Sequence, residues 1–483
     1  MNDLHQVGAR RATADIVVQI VARILNLALG VVVTLILVRA LGSRGFGVWS
    51  SIFAVTQIAG SFGDFGLNEV AINKAASESE REASWLGSLF SLRLLIGLPI
   101  TLLSVLAVLL IAPGHDGKLA GVLLSLLLLL GAPASLNVVF QLRIRNEISM
   151  AILTLNSVVW AGAVLAVAAI GGSIVAFAVA FLATAMLTTS VTVVYALRLA
   201  TLRLRRSHEL WRPLMRVGIG LGLAGVLVTG YVRLDQILVL EFAGSRQAGL
   251  YGAAYRLLDQ VQFIPISVMT TLFPMIAAAY SGRRARAREL LQTAGEYLSM
   301  ASLPILAFTI VAAEPIVRIL FGVQFLAAAP AVPILAGAFV SISFGYLAGN
   351  MVVILELQNR FARYAAIGLV VNAALNLLLI PQYGFLAAAW ITLLTEVTVM
   401  SLSMRAVLGS LSMTPRFQRI FRTMAAAALM GVATWVARLA GVPLVGLVAV
   451  AAVSYLPGLF LLRVISVDEL RAVLRKDAAR IGA

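Results

Sequence analysis

The chain contains no cysteine and only three histidines. The first absence rules out a disulfide framework and thiolate metal sites. His5, His115 and His208 all fall outside the apolar runs, so no imidazole is placed within a span to relay protons. Charge is scarce too: 12% of residues are charged against 61% hydrophobic, and the mean hydropathy is +0.99, whereas a soluble domain carries about 25% charged residues. Nor is there a long hydrophilic stretch that could fold outside a membrane, and with so little His this argues against an enzyme. The first apolar run, Ile16 to Val38, is too long for a signal-peptide core and lacks a small-x-small cleavage pattern, so it is expected to remain as the first span.

What is present is apolar sequence in runs of about 20 residues, the length that crosses a hydrocarbon core of about 30 Å. Fourteen such spans are predicted, separated by short turns such as Pro113-Gly114, Gly171-Gly172 and Gly441-Val442-Pro443. The expected fold is therefore all-α and polytopic. The net charge of +16 could point to nucleic acid, but the basic residues sit between spans and form no soluble module, so no nucleic-acid partner is expected. With the N-terminus placed in the cytoplasm, 27 of the 37 Lys and Arg fall in loops on that side and six on the other. Arg23, Arg93, Arg233 and Arg256 make up the remainder, inside spans. This asymmetry follows the positive-inside rule and returns the C-terminus to the cytoplasm, where a basic amphipathic tail would rest on anionic headgroups.

One motif occurs twice. Gly42-Ser43-Arg44-Gly45-Phe46-Gly47-Val48-Trp49 and Gly244-Ser245-Arg246-Gln247-Ala248-Gly249-Leu250-Tyr251 align without a gap, 202 positions apart, each between two spans. Both read as a tight polar turn followed by an aromatic, and shared placement favours duplication. Two lobes of six spans, inserted in the same orientation, are expected. They cover residues 1–197 and 214–404, joined by a basic cytoplasmic linker at 198–213. Spans 13 and 14 (405–463) would pack at the periphery, followed by the tail at 464–483. Aromatics such as Trp49, Tyr251, Trp85 and Trp390 more often mark membrane interfaces than sugar-stacking platforms.

Several stretches resemble the oligosaccharide flippases of the polysaccharide-transporter branch of the multidrug/oligosaccharidyl-lipid/polysaccharide (MOP) superfamily, relatives of the lipid II flippases. They are Leu37-Val38-Arg39-Ala40-Leu41-Gly42 with Gly47-Val48-Trp49, and Asp64-Phe65-Gly66-Leu67. In the second half they are Asp235 to Leu240, Gly249 to Arg256, and Glu314-Pro315-Ile316 followed by Phe321-Gly322. The resemblance implies a V-shaped bundle around a central cavity that opens alternately to either side. It also implies a polyprenyl-pyrophosphate-linked oligosaccharide as cargo, moved from the cytoplasmic to the periplasmic leaflet of a bacterial inner membrane for cell-surface polysaccharide synthesis. A monomer is expected, working among membrane lipids beside a polymerase and glycosyltransferases of the same pathway. Two alternatives are a cation-coupled multidrug extruder of the same superfamily, which an arginine-lined cavity disfavours, and a membrane-embedded polysaccharide polymerase or ligase.

A charge at mid-bilayer costs about 2.5–3.5 kcal/mol on insertion scales, so buried charges usually face a cavity or a partner. Helical spacing puts Gln19, Arg23, Asn26, Gly30 and Thr34 on one face of span 1, and Gly218, Gly222, Gly225, Thr229, Arg233 and Gln236 on one face of span 7. Span 8 carries Arg256, Asp259 and Gln260. Guanidinium forms bidentate hydrogen bonds to phosphate oxygens, which makes Arg23, Arg233 and Arg256 cargo candidates, with Asn26, Gln57, Asp64 and Asp259 beside them in the cavity. The lipid II flippase resemblance implies cavity arginines on spans 1 and 8. The competing reading is structural: Arg23 has Asp64 at its own depth, Arg233 and Arg256 have Asp235 and Asp259, and Arg93 would snorkel to the interface. A second set, Asp235, Asn372, Asn376, Thr392 and Glu396, offers oxygen ligands for Na+ or a proton site, with no other cofactor expected. By resemblance Asp235, Asn372 and Thr392 match a sodium site, but Asn376 stands where that pattern has a carboxylate. Asparagines bridging packed helices explain the same residues equally well.

Overall fold

The structure, a computed structural model, describes the backbone of residues 2–202 and 208–465, and the side chains of residue 22 and of 25–465 apart from 146, 203–208 and 221. Its described residues form helices and turns with no strand. The first half runs α1 (Asn2–Asp64), α2 (Leu67–Ser77), α3 (Glu82–Ile111), α4 (Gly114–Ser125), short helical and 3₁₀ pieces to Leu142, α5 (Asn146–Ala169) and α6 (Ile174–Leu199). The second runs α7 (His208–Val261), α8 (Phe263–Gly282), α9 (Arg284–Leu320), α10 (Ala331–Ile354), α11 (Gln358–Tyr383), α12 (Phe385–Leu411), α13 (Gln418–Leu439) and α14 (Leu444–Leu461).

Among the described residues twelve segments are long and apolar enough to cross a membrane. Two of them, Leu25–Ser77 and Gly222–Gly282, contain 53 and 61 residues. At 1.5 Å per residue they would reach about 80 and 90 Å, far beyond a hydrocarbon core of about 30 Å. Each must therefore turn back, which gives the fourteen passes expected from hydropathy. The turns are the duplicated motif: Gly42 has φ 63° and ψ −180°, and Gly244 has φ 83° and ψ 168°. Only glycine adopts this region without strain. The spacing predicts span 8 as one helix from 250 to 279, but α7 ends at Val261 and α8 starts at Phe263. Pro265 has no N–H to continue the ladder at that point.

Contacts divide the chain into two compact units, residues 1–252 with 373–385, and residues 253–372 with 386–483. In lipid, apolar burial gains no transfer free energy, so helices associate through close packing and polar contacts. The first unit uses both. Asn26 donates to Thr154 at 3.1 Å, Ser104 and Ser125 share a hydrogen bond of 2.9 Å, and Thr188 donates to Asn156 at 3.3 Å. Trp49 and Tyr251, read as interface markers, are instead buried at 2% and 1% exposure. Trp49 lies parallel to Trp160, with centroids 6.5 Å apart, and Phe181 meets Trp160 edge-on at 4.8 Å, which locks α1, α5 and α6 together. Trp390, at 59% exposure, fits the interface reading.

The closest packing in this unit joins the two copies of the motif. A Cβ on Gly47 would overlap the Ser245 carbonyl oxygen and lie 2.6 Å from the Gly249 nitrogen, and a Cβ on Gly249 would overlap the Ser43 carbonyl oxygen. The crossing is reciprocal, with equivalent glycines of the two repeats each seated on the other's backbone. Ser51 adds a hydrogen bond to the Gln236 carbonyl at 2.9 Å, and Gln236 Nε2 donates to Ser51 at 3.1 Å and to the Ala248 carbonyl at 2.9 Å.

In the second unit two ion pairs bind α13 to α9. Arg419 meets Glu296 at 3.0 Å, and Arg438 meets Glu314 at 3.0 Å while also donating to the Val311 carbonyl. The two carboxylates lie eighteen residues apart, about 27 Å along the helix. One clamp therefore sits near each face of a bilayer core of about 30 Å.

The glycine crossing leads to a stability prediction. Gly249→Val should lower the apparent melting temperature of the detergent-solubilised protein by several degrees, since overpacking costs about 1–3 kcal/mol even where side chains can yield, and here the obstacle is backbone. Gly345→Ala, where a Cβ meets nothing within 4 Å, should leave it unchanged or slightly higher. Equal midpoints for both variants would contradict the crossing.

Candidate functional site

The intramembrane polar residues gather in several groups. In the first unit Asp64 ends α1, and the chain breaks through Phe65 (φ 38°) and Gly66 (φ 68°) before α2. Asp64 pairs with Arg93 of α3, whose side chain is only 10% exposed and whose Nη1 also donates to the Gly131 carbonyl at 3.3 Å. Arg93 is thus a buried partner of Asp64, where the sequence reading had it snorkelling to the interface. The side chain of Arg23, the partner expected for Asp64, lies outside the described residues. Glycines 218 and 222 of α7, read as part of a cleft-lining stripe, pack on this break: a Cβ on Gly222 would lie 2.6 Å from the Phe65 carbonyl oxygen. Beside the contact, Ser61, Asp64, Glu69, Gly222, Gly225 and Thr229 line a cavity of about 370 Å³. Gln57 and Arg233 are partly buried in the same unit.

Asp235 is fully buried in the first unit, at 0% exposure. Its Oδ1 accepts from Asn376 Nδ2 at 2.8 Å and its Oδ2 from the Tyr251 hydroxyl at 3.1 Å. Asp235 and Asn376 were selected from the sequence by their depth; Tyr251 was not. Its signal was the duplicated turn, which folds the chain back so that residues 235 and 251 meet. Charged side chains inside a membrane pass are rare and usually face a partner or a cavity, and Asn376 and Tyr251 supply two of the contacts to this one.

In the second unit, Arg256 stands 3.9 Å from Asp259, one turn along α7, with side chains 27% and 17% exposed. Gln262 Nε2 donates to Asp259 at 3.4 Å, and Tyr346 of α10 donates to Gln262 at 3.3 Å, so the arginine begins a polar chain that reaches α10. Neither Gln262 nor Tyr346 was selected from the sequence, because an i+3 amide and a tyrosine on a distant span carry no local signature. Asn372, one turn before Asn376 on α11, is buried here and donates to Thr395 at 3.4 Å. Thr392 bonds back to the Ala388 carbonyl at 2.9 Å, and Glu396 is 7% exposed on α12. No group of three His, Asp or Glu side chains suited to a metal ion occurs among the described residues.

Fold and polar groups together define a multi-pass membrane protein with buried arginines and carboxylates inside its spans. A family model for polysaccharide biosynthesis proteins matches residues 36–330, more than half of the chain, and the chain belongs to that family. A probable low-salt glycan biosynthesis flippase, Agl15 of Haloferax volcanii, is 26% identical over 365 residues, covering 74% of this chain and 75% of that protein. An uncharacterized membrane protein of Methanocaldococcus jannaschii is 28% identical over 187 residues, and the match spans 38% of this chain and 36% of that relative. Among solved structures, the lipid II flippase MurJ in an inward closed conformation superposes with a TM-score of 0.70 at 14% identity, covering 92% of this chain and 98% of that one. An inward-facing multidrug resistance MATE transporter of the MOP superfamily gives 0.62 at 15% identity, covering 84% and 96%. The fold is that of the MOP superfamily.

The Asp64–Arg93 pair is lopsided, since Asp64 is 51% exposed and Arg93 10%. Removing the carboxylate strands a buried charge, whereas removing the guanidinium leaves a carboxylate that water can reach. Asp64→Ala should therefore destabilise by roughly 2 kcal/mol or more, and Arg93→Met by clearly less, measured by unfolding in detergent. The reverse order would show that the pair is not the one described.

Proposed function

We propose that this protein is a flippase for a polyprenyl-pyrophosphate-linked oligosaccharide, working by alternating access in the synthesis of a surface glycan. The observation that carries the reading is membership of the polysaccharide biosynthesis family over residues 36–330. The residue chemistry supports it. Arg256 keeps 27% of its side chain exposed within a membrane pass, and a guanidinium beside a carboxylate can exchange that partner for a pyrophosphate, binding it bidentately. Arg23 and Arg233 are the further cargo candidates. Organic cations suit such a site poorly, because the field of several arginines repels them.

Asp235, with Asn376 and Tyr251 as its donors, is proposed as the coupling group for Na+ or H+. Binding of either ion at the carboxylate would change the cost of holding its charge in the membrane. Energy from an ion gradient would then reach the cargo through a change in protein conformation. The expected setting is a cytoplasmic membrane with glycosyltransferases of the same pathway on the arginine-rich side.

In cells lacking the gene, lipid-linked oligosaccharide should accumulate on the cytoplasmic leaflet. Arg256→Ala should fail to clear it, with flux reduced at least tenfold although the protein inserts normally. Asp235→Asn should retain cargo binding and lose the response to an imposed ion gradient. Clearance at wild-type levels by Arg256→Ala would remove the cationic site. A gradient response unchanged in Asp235→Asn would remove the coupling assignment.

A further inference from the structure

On the arginine-rich face of the second unit, an apolar groove of about 260 Å³ opens between α9, α10, α12 and the start of α13. Gly295 of α9 forms part of its floor, with Phe344 and Leu347 of α10 on one wall, Met404 of α12 on the other, and Phe417 at the rim. A Cβ on Gly295 would meet Phe344 at 3.6 Å and Leu347 at 3.7 Å, so this position is smooth without being overpacked. Methionine-rich walls adapt to flexible apolar chains. The groove is too small for a helix, whose diameter with side chains is about 10–12 Å.

Its polar end is built. Gln292, which also lines the groove, holds the main chain of Arg416 from both sides: Nε2 donates to the Arg416 carbonyl at 2.8 Å, and Oε1 accepts from the Arg416 N–H at 3.0 Å. Gln292 also donates to Glu296 at 2.9 Å. The nearby carboxylates are already neutralised, Glu296 by Arg419 at 3.0 Å and Glu289 by Arg286 at 3.0 Å. Two further cations adjoin the groove residues along the chain. Arg288, one turn before Gln292 on α9, has a buried Nε with no acceptor among the described residues. Arg416, between the groove residues Pro415 and Phe417, is exposed and forms no ion pair among them.

An apolar slot whose lining residues Gln292, Pro415 and Phe417 are flanked along the chain by Arg288 and Arg416 complements a molecule with a hydrocarbon tail and an anionic head. We propose that this groove binds an anionic phospholipid of the adjacent leaflet, with one acyl chain against Gly295 and Met404 and the phosphate at Arg288 and Arg416. The assignment is independent of the cargo reading, since it concerns a different part of the second unit and a lipid of the bilayer itself.

The test uses the full-length protein in detergent micelles and native mass spectrometry to count bound lipids. Dioleoyl phosphatidylglycerol, dioleoyl phosphatidylcholine and a polyprenyl phosphate serve as probes. Wild type should retain phosphatidylglycerol over phosphatidylcholine by about tenfold or more. Arg288→Gln with Arg416→Gln should lower phosphatidylglycerol retention roughly thirtyfold, the two arginines acting together on one headgroup. Gly295→Met, which fills the slot, should lower it as well. Equal retention of the two phospholipids by wild type would overturn the proposal, as would unchanged phosphatidylglycerol binding in the arginine variant. Displacement of phosphatidylglycerol by an equimolar amount of the polyprenyl phosphate would assign the groove to a cargo tail and equally overturn it. Should a variant fail to fold, the wild-type comparison of the three lipids still decides.

Discussion

The architecture depends on a crossing of two turns that only glycine permits. Gly42 and Gly244 reverse the chain in a backbone region closed to other residues, and five positions on, Gly47 and Gly249 let the two reversals touch backbone to backbone. Nothing larger fits, so the relative placement of the first passes of each repeat is set by main-chain contact, which cannot repack as side chains can. The Ser51 and Gln236 hydrogen bonds and the burial of Trp49 and Tyr251 are built outward from that contact. Asp235 gains a donor from the same turn, because Tyr251 closes the second copy of the motif.

The second constraint is the bilayer, where an unsatisfied polar group costs several kcal/mol. It explains why polar side chains are shared between helices instead of being scattered. Asp64 with Arg93, Glu296 with Arg419 and Glu314 with Arg438 each join two helices. The last two hold α13 to α9 at both ends. Arg256 and Asp259 differ in lying on one helix and in standing 3.9 Å apart, against 3.0 Å for Glu296 with Arg419 and for Glu314 with Arg438.

Much of this was legible in the sequence. Hydropathy and the Lys and Arg distribution marked the passes because a bilayer imposes one length scale on all of them, and the duplicated motif marked where the chain turns. What the motif does was not legible, since its packing partner lies 202 residues away and local spacing says nothing about it. The glycine stripe on span 7 shows the limit well. Period alone placed Gly218 and Gly222 on a polar face, but it could not show that this face is seated on the Phe65 backbone at Gly218 and Gly222 and lines a cavity from Gly222 to Thr229. Arg93 was misread for a related reason: its depth matched the interface, and its partner, Asp64, lay on another span. The site candidates Asp235 and Asn376 were found because a polar residue inside an apolar run is conspicuous, and the structure joins them at 2.8 Å.

The central claim, that the protein moves an anionic lipid-linked glycan, is tested most directly with the purified protein in liposomes. A fluorescent polyprenyl-pyrophosphate oligosaccharide and a fluorescent organic cation would be supplied separately, and transbilayer movement followed by quenching of the exposed leaflet. Movement of the lipid-linked sugar without movement of the cation is the predicted result. Transport of the cation with no acceleration of the lipid-linked sugar would contradict the account.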